Sequence, residues 1–125
     1  MNPNDIKQKL TEEEWKVTQE KGTEAPFANK YWNTHEDGTY HCKVCDTPLF
    51  ASDTKFDSGP GWPSFGEALS GAVKYITDDT HGMVRTEVVC VNCGAHLGHV
   101  FDDGKETGSK TEKRFCMNSC SLDLK

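Results

Sequence analysis

The pattern of apolar and polar positions predicts a short helix near the start of the chain. Thr11 and Glu14 form a capping box, in which each side chain can bond the backbone amide of the other residue. Leu10 and Trp15 occupy the apolar positions that flank such a cap. Gly22 is a natural end for this helix, because glycine readily adopts the left-handed conformation found there.

The rest of the chain alternates between short apolar segments and turns, which predicts strands. Apolar and charged residues alternate over Val84–Val88, as in a strand with one buried face. A tight connection at Thr80–Gly82 would join this strand to the preceding one as a hairpin. The predicted strands are Thr39–Lys43, Ala72–Thr77, Met83–Val91, Ala95–Phe101 and Arg114–Asn118. We expect a polar segment over residues 1–10 and one mostly β (α+β) antiparallel domain over residues 11–125.

Composition and charge weigh against several classes of protein. Only 34% of the 125 residues are hydrophobic and 27% are charged, so the core is modest and a structural metal would add useful stability. A net charge of −6 disfavours nucleic-acid binding, which usually needs a basic face. Neither an apolar signal segment nor a run of roughly 18 apolar residues, as in a membrane span, is found. We therefore expect a cytoplasmic protein, the alternative being a secreted protein held by disulfides.

Six cysteines divide into two CxxC pairs and two residues near the C-terminus. The pairs comprise Cys42, Cys45, Cys90 and Cys93, and each pair lies where a predicted strand turns. Four thiolates complete a tetrahedral zinc site and leave it no open position for chemistry. We expect one structural zinc ion per chain; the alternatives are redox-active CxxC pairs or simply buried thiols.

Cys116 is the candidate nucleophile among the two remaining cysteines. A reactive cysteine needs a nearby cation that favours its thiolate, and Arg114 lies two positions away on the same face of the predicted strand. Asn118 shares that face and can orient a substrate or a histidine. From these residues alone, a cysteine buried in a core strand is the alternative.

Two further segments carry candidate catalytic groups. His96 and His99 can act as acids, bases or metal ligands, and Asp103 can hold a histidine in the required tautomer. Trp62 lies in a rigid loop of glycines and prolines and can present its indole ring to a methyl group. Taken singly, such residues are more often surface or hydrogen-bonded histidines and a core tryptophan.

Together and in order, these segments resemble the methionine-R-sulfoxide reductases of the B type, the MsrB family. The resemblance covers about residues 8–124 and is carried by LTEEEW at residues 10–15, SGPGWPSF at 58–65, CGAHLGHVF at 93–101 and RFCMNS at 114–119. It implies a tent-like fold of two antiparallel sheets with zinc bound away from the active site. It also implies reduction of the R epimer of methionine sulfoxide, chiefly within oxidised proteins.

The resemblance also assigns roles to individual residues. Cys116 matches the family's nucleophile, which attacks the sulfoxide sulfur and becomes a sulfenic acid. Trp62 matches the residue that receives the substrate methyl group, and Phe115 is a second expected substrate-binding residue. The expected acid and orienting groups are His99, His96, Asn118, Arg114 and Asp103, with His99 supplying the proton. We expect a monomer that thioredoxin or a similar thiol restores.

The resolving cysteine is where the chain departs from the family. Many members carry it at the position of Pro60, so only Cys120 remains as a candidate here. Four extended residues separate two Cα atoms by roughly 13 Å, whereas a disulfide needs about 4.4–6.8 Å. Either Cys120 resolves after a turn or local unfolding, or an external thiol attacks directly. The long charged segment 103–113 is a second departure, and we expect it to rim the pocket.

Two other classes compete with this enzyme. A zinc-ribbon interaction module is disfavoured by the acidic charge and the two spare cysteines. A general thiol-disulfide oxidoreductase would use one CxxC pair for catalysis and would leave that pair without metal.

Overall fold

The N-terminal helix forms as predicted. The computed structural model describes residues 8–25, 27–32, 34, 36–56, 61–79 and 84–125, and the helix is α1 (Glu12–Glu20). Its capping box is confirmed, because Thr11 Oγ1 accepts from the Glu14 amide at 3.1 Å and Glu14 Oε1 accepts from the Thr11 amide at 2.9 Å. The left-handed residue that follows the helix is Lys21, with φ 59°, rather than Gly22.

Two antiparallel sheets make up the rest of the described chain, as the predicted fold class requires. The strands are β1 (Thr39–Cys42), β2 (Pro48–Ala51), β3 (Lys55–Phe56), β4 (Ser64–Phe65), β5 (Val73–Asp78), β6 (Arg85–Cys90), β7 (His96–Phe101), β8 (Arg114–Met117) and β9 (Leu122–Leu124). The smaller sheet has the order β2-β1-β9, and the larger has the order β3-β4-β8-β7-β6-β5. A short helix, α2 (Gly104–Thr107), lies between β7 and β8.

The five predicted strands correspond to β1, β5, β6, β7 and β8. The sequence pattern missed the other four strands, because segments of two to four residues are too short to show alternation. The predicted connection at Thr80–Gly82 lies outside the described residues. The pairing that it implies is nevertheless present, since Asp78 at the end of β5 lies opposite Arg85 at the start of β6.

An aromatic core joins the two sheets. Phe50 of the smaller sheet stacks on Phe65 of the larger one at 4.5 Å between ring centroids, and Tyr40 meets Phe65 edge-on at 5.0 Å. Phe115 of β8 contacts Phe50 at 5.7 Å from the same side. Each such pair contributes about 0.5–1.5 kcal/mol beyond its buried area. Because side chains alternate along β8, Cys116 points to the outer face of the larger sheet.

The N-terminal part of the chain covers that outer face. Helix α1 packs against β7 and against the 3₁₀ helix Ser119–Ser121 that follows β8. The next segment contributes Glu24, which is buried beside the end of β8. No helix within the described ranges is long and apolar enough to cross a membrane.

Candidate active site

Cys116 lies between two strands that place polar side chains beside it. In the sheet register its neighbours are Ser64 on β4 and His99 on β7. Directly opposed residues have Cβ atoms about 4.5–5.5 Å apart, so the thiol and the imidazole are close neighbours. At Gly98 of β7, any Cβ would overlap the Cys116 carbonyl oxygen of β8. Glycine is therefore required there for the Cys116–His99 pairing.

A β-bulge in β7 brings the second histidine to the same face. Residues three apart in a regular strand face opposite sides, but the pairing of β6 with β7 skips Leu97. The rings of His96 and His99 consequently lie 5.5 Å apart, nearly edge to face. Alternation along the sequence alone would have separated them.

Asn118 bonds to this bulge, and it lies just beyond β8 rather than on the strand face that it was predicted to share with Cys116. β8 ends before it, and its side chain is buried. Its backbone amide and its Nδ2 both donate to the Leu97 carbonyl, at 2.8 and 3.2 Å. Its Oδ1 accepts from the Glu24 amide at 3.3 Å. With both ends of the amide engaged by backbone, Asn118 orients the histidine strand rather than the substrate.

Asp78, and not Asp103 as predicted, is the carboxylate that orients a histidine. Asp78 Oδ2 lies 2.8 Å from His99 Nε2 at the point where β5 ends. Asp103 instead accepts from Arg114 Nε and Nη2 at 2.8 and 3.3 Å. That hydrogen-bonded ion pair lowers the pKa of Asp103. Asp103 pairs with Arg114, 11 positions away in sequence, because the β7–β8 connection brings the two side chains together.

Glu87 is the carboxylate bound to His96. Its Oε2 lies 2.8 Å from His96 Nδ1, and its Oε1 lies 3.1 Å from Lys21 Nζ. Burial lowers the pKa of His96, and the Glu87 carboxylate opposes that effect. The alternation over Val84–Val88 suggested an exposed charged face, but Glu87 is only 1% exposed. That face is covered by the N-terminal segment instead of by water.

The environment of Cys116 keeps its thiol protonated in the free protein. Burial raises the pKa of Cys116 to about 11, while the charge and hydrogen bond of Arg114 act in the opposite direction. The Arg114 charge is shared with Asp103 and with the face of Phe101, whose centroid is 4.5 Å away. Arg114 thus lowers the pKa of Cys116, as expected, but burial outweighs this effect and the resting thiol is not ionised.

A hydrogen bond fixes the Trp62 side chain, whereas Phe115 lies on the other face of the sheet from Cys116. The Trp62 indole donates from Nε1 to the Glu24 carbonyl at 2.9 Å and stays partly exposed. Pro63 accepts from the Met117 amide at 3.0 Å, which ties the tryptophan loop to β8. Phe115, predicted to bind substrate, is 3% exposed and lies in the core on the face opposite Cys116.

Cys120 lies on the 3₁₀ helix after β8 and faces helix α1. Its thiol donates to Glu13 Oε1 at 3.1 Å, and its amide donates to Glu24 Oε1 at 2.9 Å. Burial and these two carboxylates raise the pKa of Cys120 well above the usual range of a thiol. The chain does turn after Cys116, as resolution by Cys120 would need. Pro60 lies outside the described residues.

The four cysteines of the CxxC pairs converge as predicted. Their sulfur atoms all lie within 4.8 Å of one another, with Cys42–Cys93 at 3.6 Å and Cys45–Cys90 at 3.5 Å. Zinc–sulfur bonds of about 2.3 Å in a tetrahedron separate the sulfurs by about 3.8 Å, so the cluster fits the ion. The residue after each pair, Asp46 or Gly94, is left-handed, with φ 68° and 76°.

This convergence weighs against the competing oxidoreductase. Such an enzyme would keep one CxxC pair apart from the metal, whereas both pairs belong to one cluster. The cluster has no vacant ligand position for chemistry once four thiolates bind. The two cysteines outside the cluster, Cys116 and Cys120, are therefore the candidates for a reactive sulfur.

Three acidic residues of the site were missed from the sequence. Glu24 has no motif of its own, and its carboxylate accepts from the amides of Ser119 and Cys120. Asp78 ends a strand without any local signal. Glu87 had one usable signal, an acidic residue directly before the apolar Val88 and Val89 that lead into a CxxC pair.

A thiol, a histidine and a carboxylate on one sheet face, apart from a cluster of four cysteines, are typical of an enzyme with a cysteine nucleophile. The family model described as the SelR domain matches residues 10–125. The chain is 55% identical over 117 residues to proteins named "Peptide methionine sulfoxide reductase MsrB" from Acinetobacter baumannii strains AYE and SDF. These matches cover 93% of this chain and 82% of each relative. The chain belongs to the SelR-domain family of B-type methionine sulfoxide reductases.

Proposed function

We propose that this chain reduces the R epimer of methionine sulfoxide in oxidised proteins, with Cys116 as the nucleophile. As a member of this family it is a peptide-methionine (R)-S-oxide reductase. The observation that carries the mechanism is the cross-strand pairing of Cys116 with His99, whose Nε2 lies 2.8 Å from Asp78. A nucleophile, its base and the group that orients the base are thereby adjacent.

The proton that the reaction needs is the one that Cys116 carries. A sulfoxide oxygen separates from its sulfur only when it gains a proton, and the pKa of about 11 keeps the Cys116 thiol protonated near pH 7. With Asp78 accepting from Nε2–H, Nδ1 of His99 is the acceptor for that proton. His99 then passes the proton to the sulfoxide oxygen, and Asp78 stabilises the transient imidazolium.

The oxygen transfer balances without another reactant. The Cys116 sulfur bonds to the sulfoxide sulfur, and the protonated oxygen then migrates to Cys116 as a hydroxyl group. The bond between the two sulfurs and the bond from the oxygen to the substrate sulfur both break in this step. Methionine sulfoxide is reduced to methionine, and Cys116 is oxidised to a sulfenic acid. Arg114 favours the attacking thiolate, and Asp103 holds Arg114 in place.

Trp62 is proposed to receive the methyl group of the substrate. Its indole nitrogen is committed to the Glu24 carbonyl, so the orientation of the ring is fixed while part of it stays open. A rigid aromatic wall on one side and proton donors on the other distinguish the two sulfoxide epimers. Phe115 supports this site from the core and Asn118 supports it through the β7 bulge.

The observations favour an external thiol over Cys120 for restoring Cys116. A protonated thiol is a poor nucleophile, and the pKa of Cys120 is raised by burial and by Glu13 and Glu24. We therefore propose that thioredoxin or a similar dithiol attacks the sulfenic acid, releases water and forms a mixed disulfide. Its second thiol then frees Cys116 and leaves the reductant as a disulfide.

The metal is proposed to be zinc, one ion per chain, with a structural role. Cys42, Cys45, Cys90 and Cys93 would hold it, and an ion bound by four thiolates stabilises the fold. We expect metal analysis to give one zinc per chain and chelation to lower Tm sharply. A protein that keeps its Tm without metal would contradict this assignment.

Further proposals concern the protein as a whole. We propose one catalytic domain over residues 11–125 after the polar segment 1–10, although Leu10 already packs into the core. We also propose a monomer that acts in the cytoplasm, where reductants keep its thiols free, and that binds neither nucleic acid nor membrane.

A stereospecific assay tests the proposed function. A peptide with each sulfoxide epimer is incubated with a dithiol reductant and wild-type protein, Cys116→Ser or Cys120→Ser. We expect reduction of the R epimer only, loss of activity in Cys116→Ser, and activity close to wild type in Cys120→Ser. Reduction of the S epimer, or activity that survives Cys116→Ser, would contradict the proposal.

A further inference from the structure

Glu87 and His96 form a buried pair behind the reactive cysteine. They are 1% and 3% exposed, and Glu87 Oε2 lies 2.8 Å from His96 Nδ1. An ionised carboxylate only accepts, so Nδ1 carries the hydrogen and Nε2 of the neutral ring has a bare lone pair. No described residue gives this buried Nε2 a hydrogen-bond partner. Such a group costs about 1–3 kcal/mol, so a partner is expected in the working enzyme.

The position of the His96 ring indicates where that partner binds. The bulge at Leu97 places the ring 5.5 Å from that of His99, which itself lies opposite Cys116. The group that arrives there during the reaction is the oxygen transferred from the substrate. A hydroxyl group on Cys116 needs an acceptor, and His96 Nε2 is a buried acceptor beside His99 that no described residue satisfies.

Lys21 completes the arrangement from the end of helix α1. Its Nζ lies 3.1 Å from Glu87 Oε1, the oxygen that does not bind His96. The Lys21 side chain is otherwise 66% exposed, so the stem lies in solvent and only the head reaches the buried carboxylate. The left-handed conformation of Lys21 ends α1 and directs the chain back toward the sheet.

We propose that Glu87 and Lys21 are positioning residues for the reaction, which rests on the proposed function. Glu87 holds His96 in the tautomer whose Nε2 accepts from the sulfenic acid of Cys116. Lys21 balances the Glu87 charge, so that the proton stays off Nε2 and His96 remains an acceptor. Helix α1 is in this way coupled to the chemistry although it contributes no group that touches the substrate.

The two positioning residues act on His96 with opposite signs. The charged and titratable groups facing His96 are Glu87 on β6, His99 on its own strand and Lys21 after α1; Cys116 faces His99 from β8. Removing the Lys21 cation raises the pKa of His96, because a cation nearby disfavours the imidazolium. Removing the Glu87 charge lowers that pKa further. A merely structural role would leave the pH profile of kcat/KM unchanged even where the pKa of His96 shifts.

The test compares Lys21→Met with the matched control Lys16→Met in the zinc-loaded protein. Lys16 lies on the same helix and pairs only with exposed Glu12, at 3.5 Å, among the ion pairs described. The readouts are the His96 titration by NMR and the pH profile of kcat/KM on the R epimer. For Lys21→Met we expect a raised pKa of His96, an acidic limb displaced to higher pH, and kcat/KM lower by about three- to tenfold at pH 7.

Three further variants complete the design. Lys16→Met should behave as wild type, Lys21→Arg should restore both readouts, and Glu87→Gln should lower the pKa of His96 and reduce kcat/KM by about tenfold or more. The proposal is overturned if Lys21→Met matches Lys16→Met, or if Lys21→Met and Glu87→Gln shift His96 in the same direction. Lys21→Met alters an exposed side chain and so decides the matter even where Glu87→Gln fails to fold. If the wild-type protein is inactive on the R epimer, the proposed function is overturned instead. The NMR titration of His96 needs no activity, so the two failures can be told apart.

Discussion

Cys116 and His99 face each other directly across β8 and β7, and Asp78 binds the imidazole nitrogen that points away from the reaction. The orienting carboxylate therefore comes from β5, two strands away from His99 in the sheet order. In the proposed mechanism, this arrangement lets His99 take the proton of the Cys116 thiol and pass it to the sulfoxide oxygen. No net proton has to come from solvent.

Loss of the orienting carboxylate should slow the oxygen transfer. We expect Asp78→Asn to lower the single-turnover rate on the R epimer by about 10²–10⁴-fold, as when a base loses its orienting acid. Asp79→Asn, an exposed residue one position along, is the matched control and should behave as wild type. Equal rates for the two variants would show that His99 does not depend on Asp78.

Asn118 should act through the bulge of β7. Replacing Asn118 by Ala removes the Nδ2 hydrogen bond to Leu97 and leaves a buried carbonyl less well satisfied, which costs about 1–3 kcal/mol of stability. We expect kcat to fall more than KM rises, since the histidines move while the substrate wall remains. Chemical shifts of His96 and His99 should change together. A variant with unchanged histidine shifts and a raised KM alone would indicate direct substrate binding by Asn118.

The raised pKa of Cys116 predicts a distinct pH dependence. In a Cys120→Ser background, the alkylation rate of Cys116 should rise with pH toward a midpoint near 11. Since the folded-state pKa lies above the ordinary value of 9.0, the neutral thiol favours folding. That contribution is complete below pH 9 and is lost as the pH rises through about 11. Arg114→Met should move the midpoint upward, and a midpoint near 7 would contradict the proton path.

How far the sequence predicted the site can be judged residue by residue. The convergence of four cysteines was predictable because two CxxC pairs carry a fixed coordination chemistry. Cys116 was proposed as the nucleophile because it is one of the two remaining cysteines and lies in a family motif. The longer strands showed their alternation. The partners of the histidines were not predictable, because Asp78 and Glu87 meet them only through sheet register and a bulge that local spacing does not reveal.

The errors share one physical cause. Asp103 was predicted to hold a histidine, and no role was predicted for Glu87, because sequence distance and alternation do not show three-dimensional contacts. In the fold, Arg114 forms a hydrogen-bonded ion pair with Asp103, and the N-terminal segment covers Glu87. Phe115 was predicted to bind substrate together with its neighbour Cys116. Adjacent residues of a strand point to opposite faces of the sheet, so the two side chains lie on different sides.

Cys120 should be dispensable when an external dithiol is present. We expect Cys120→Ser to retain at least about half of the wild-type kcat with thioredoxin, because the wild-type thiol is held protonated by Glu13 and Glu24. After one turnover without reductant, mass spectrometry of the wild-type protein should find a sulfenic acid on Cys116. A Cys116–Cys120 disulfide formed at the turnover rate would assign resolution to Cys120 instead.

The most direct test of the central claim follows the oxygen atom itself. A peptide carrying ¹⁸O-labelled methionine R-sulfoxide is mixed with an equivalent of reduced protein, and sulfenic acid is trapped by a reagent that retains the oxygen. The mechanism predicts one ¹⁸O on Cys116, one methionine formed per chain, and neither product with the S epimer or with Cys116→Ser. Label found on Cys120, or methionine formed while Cys116 stays unmodified, would contradict the account.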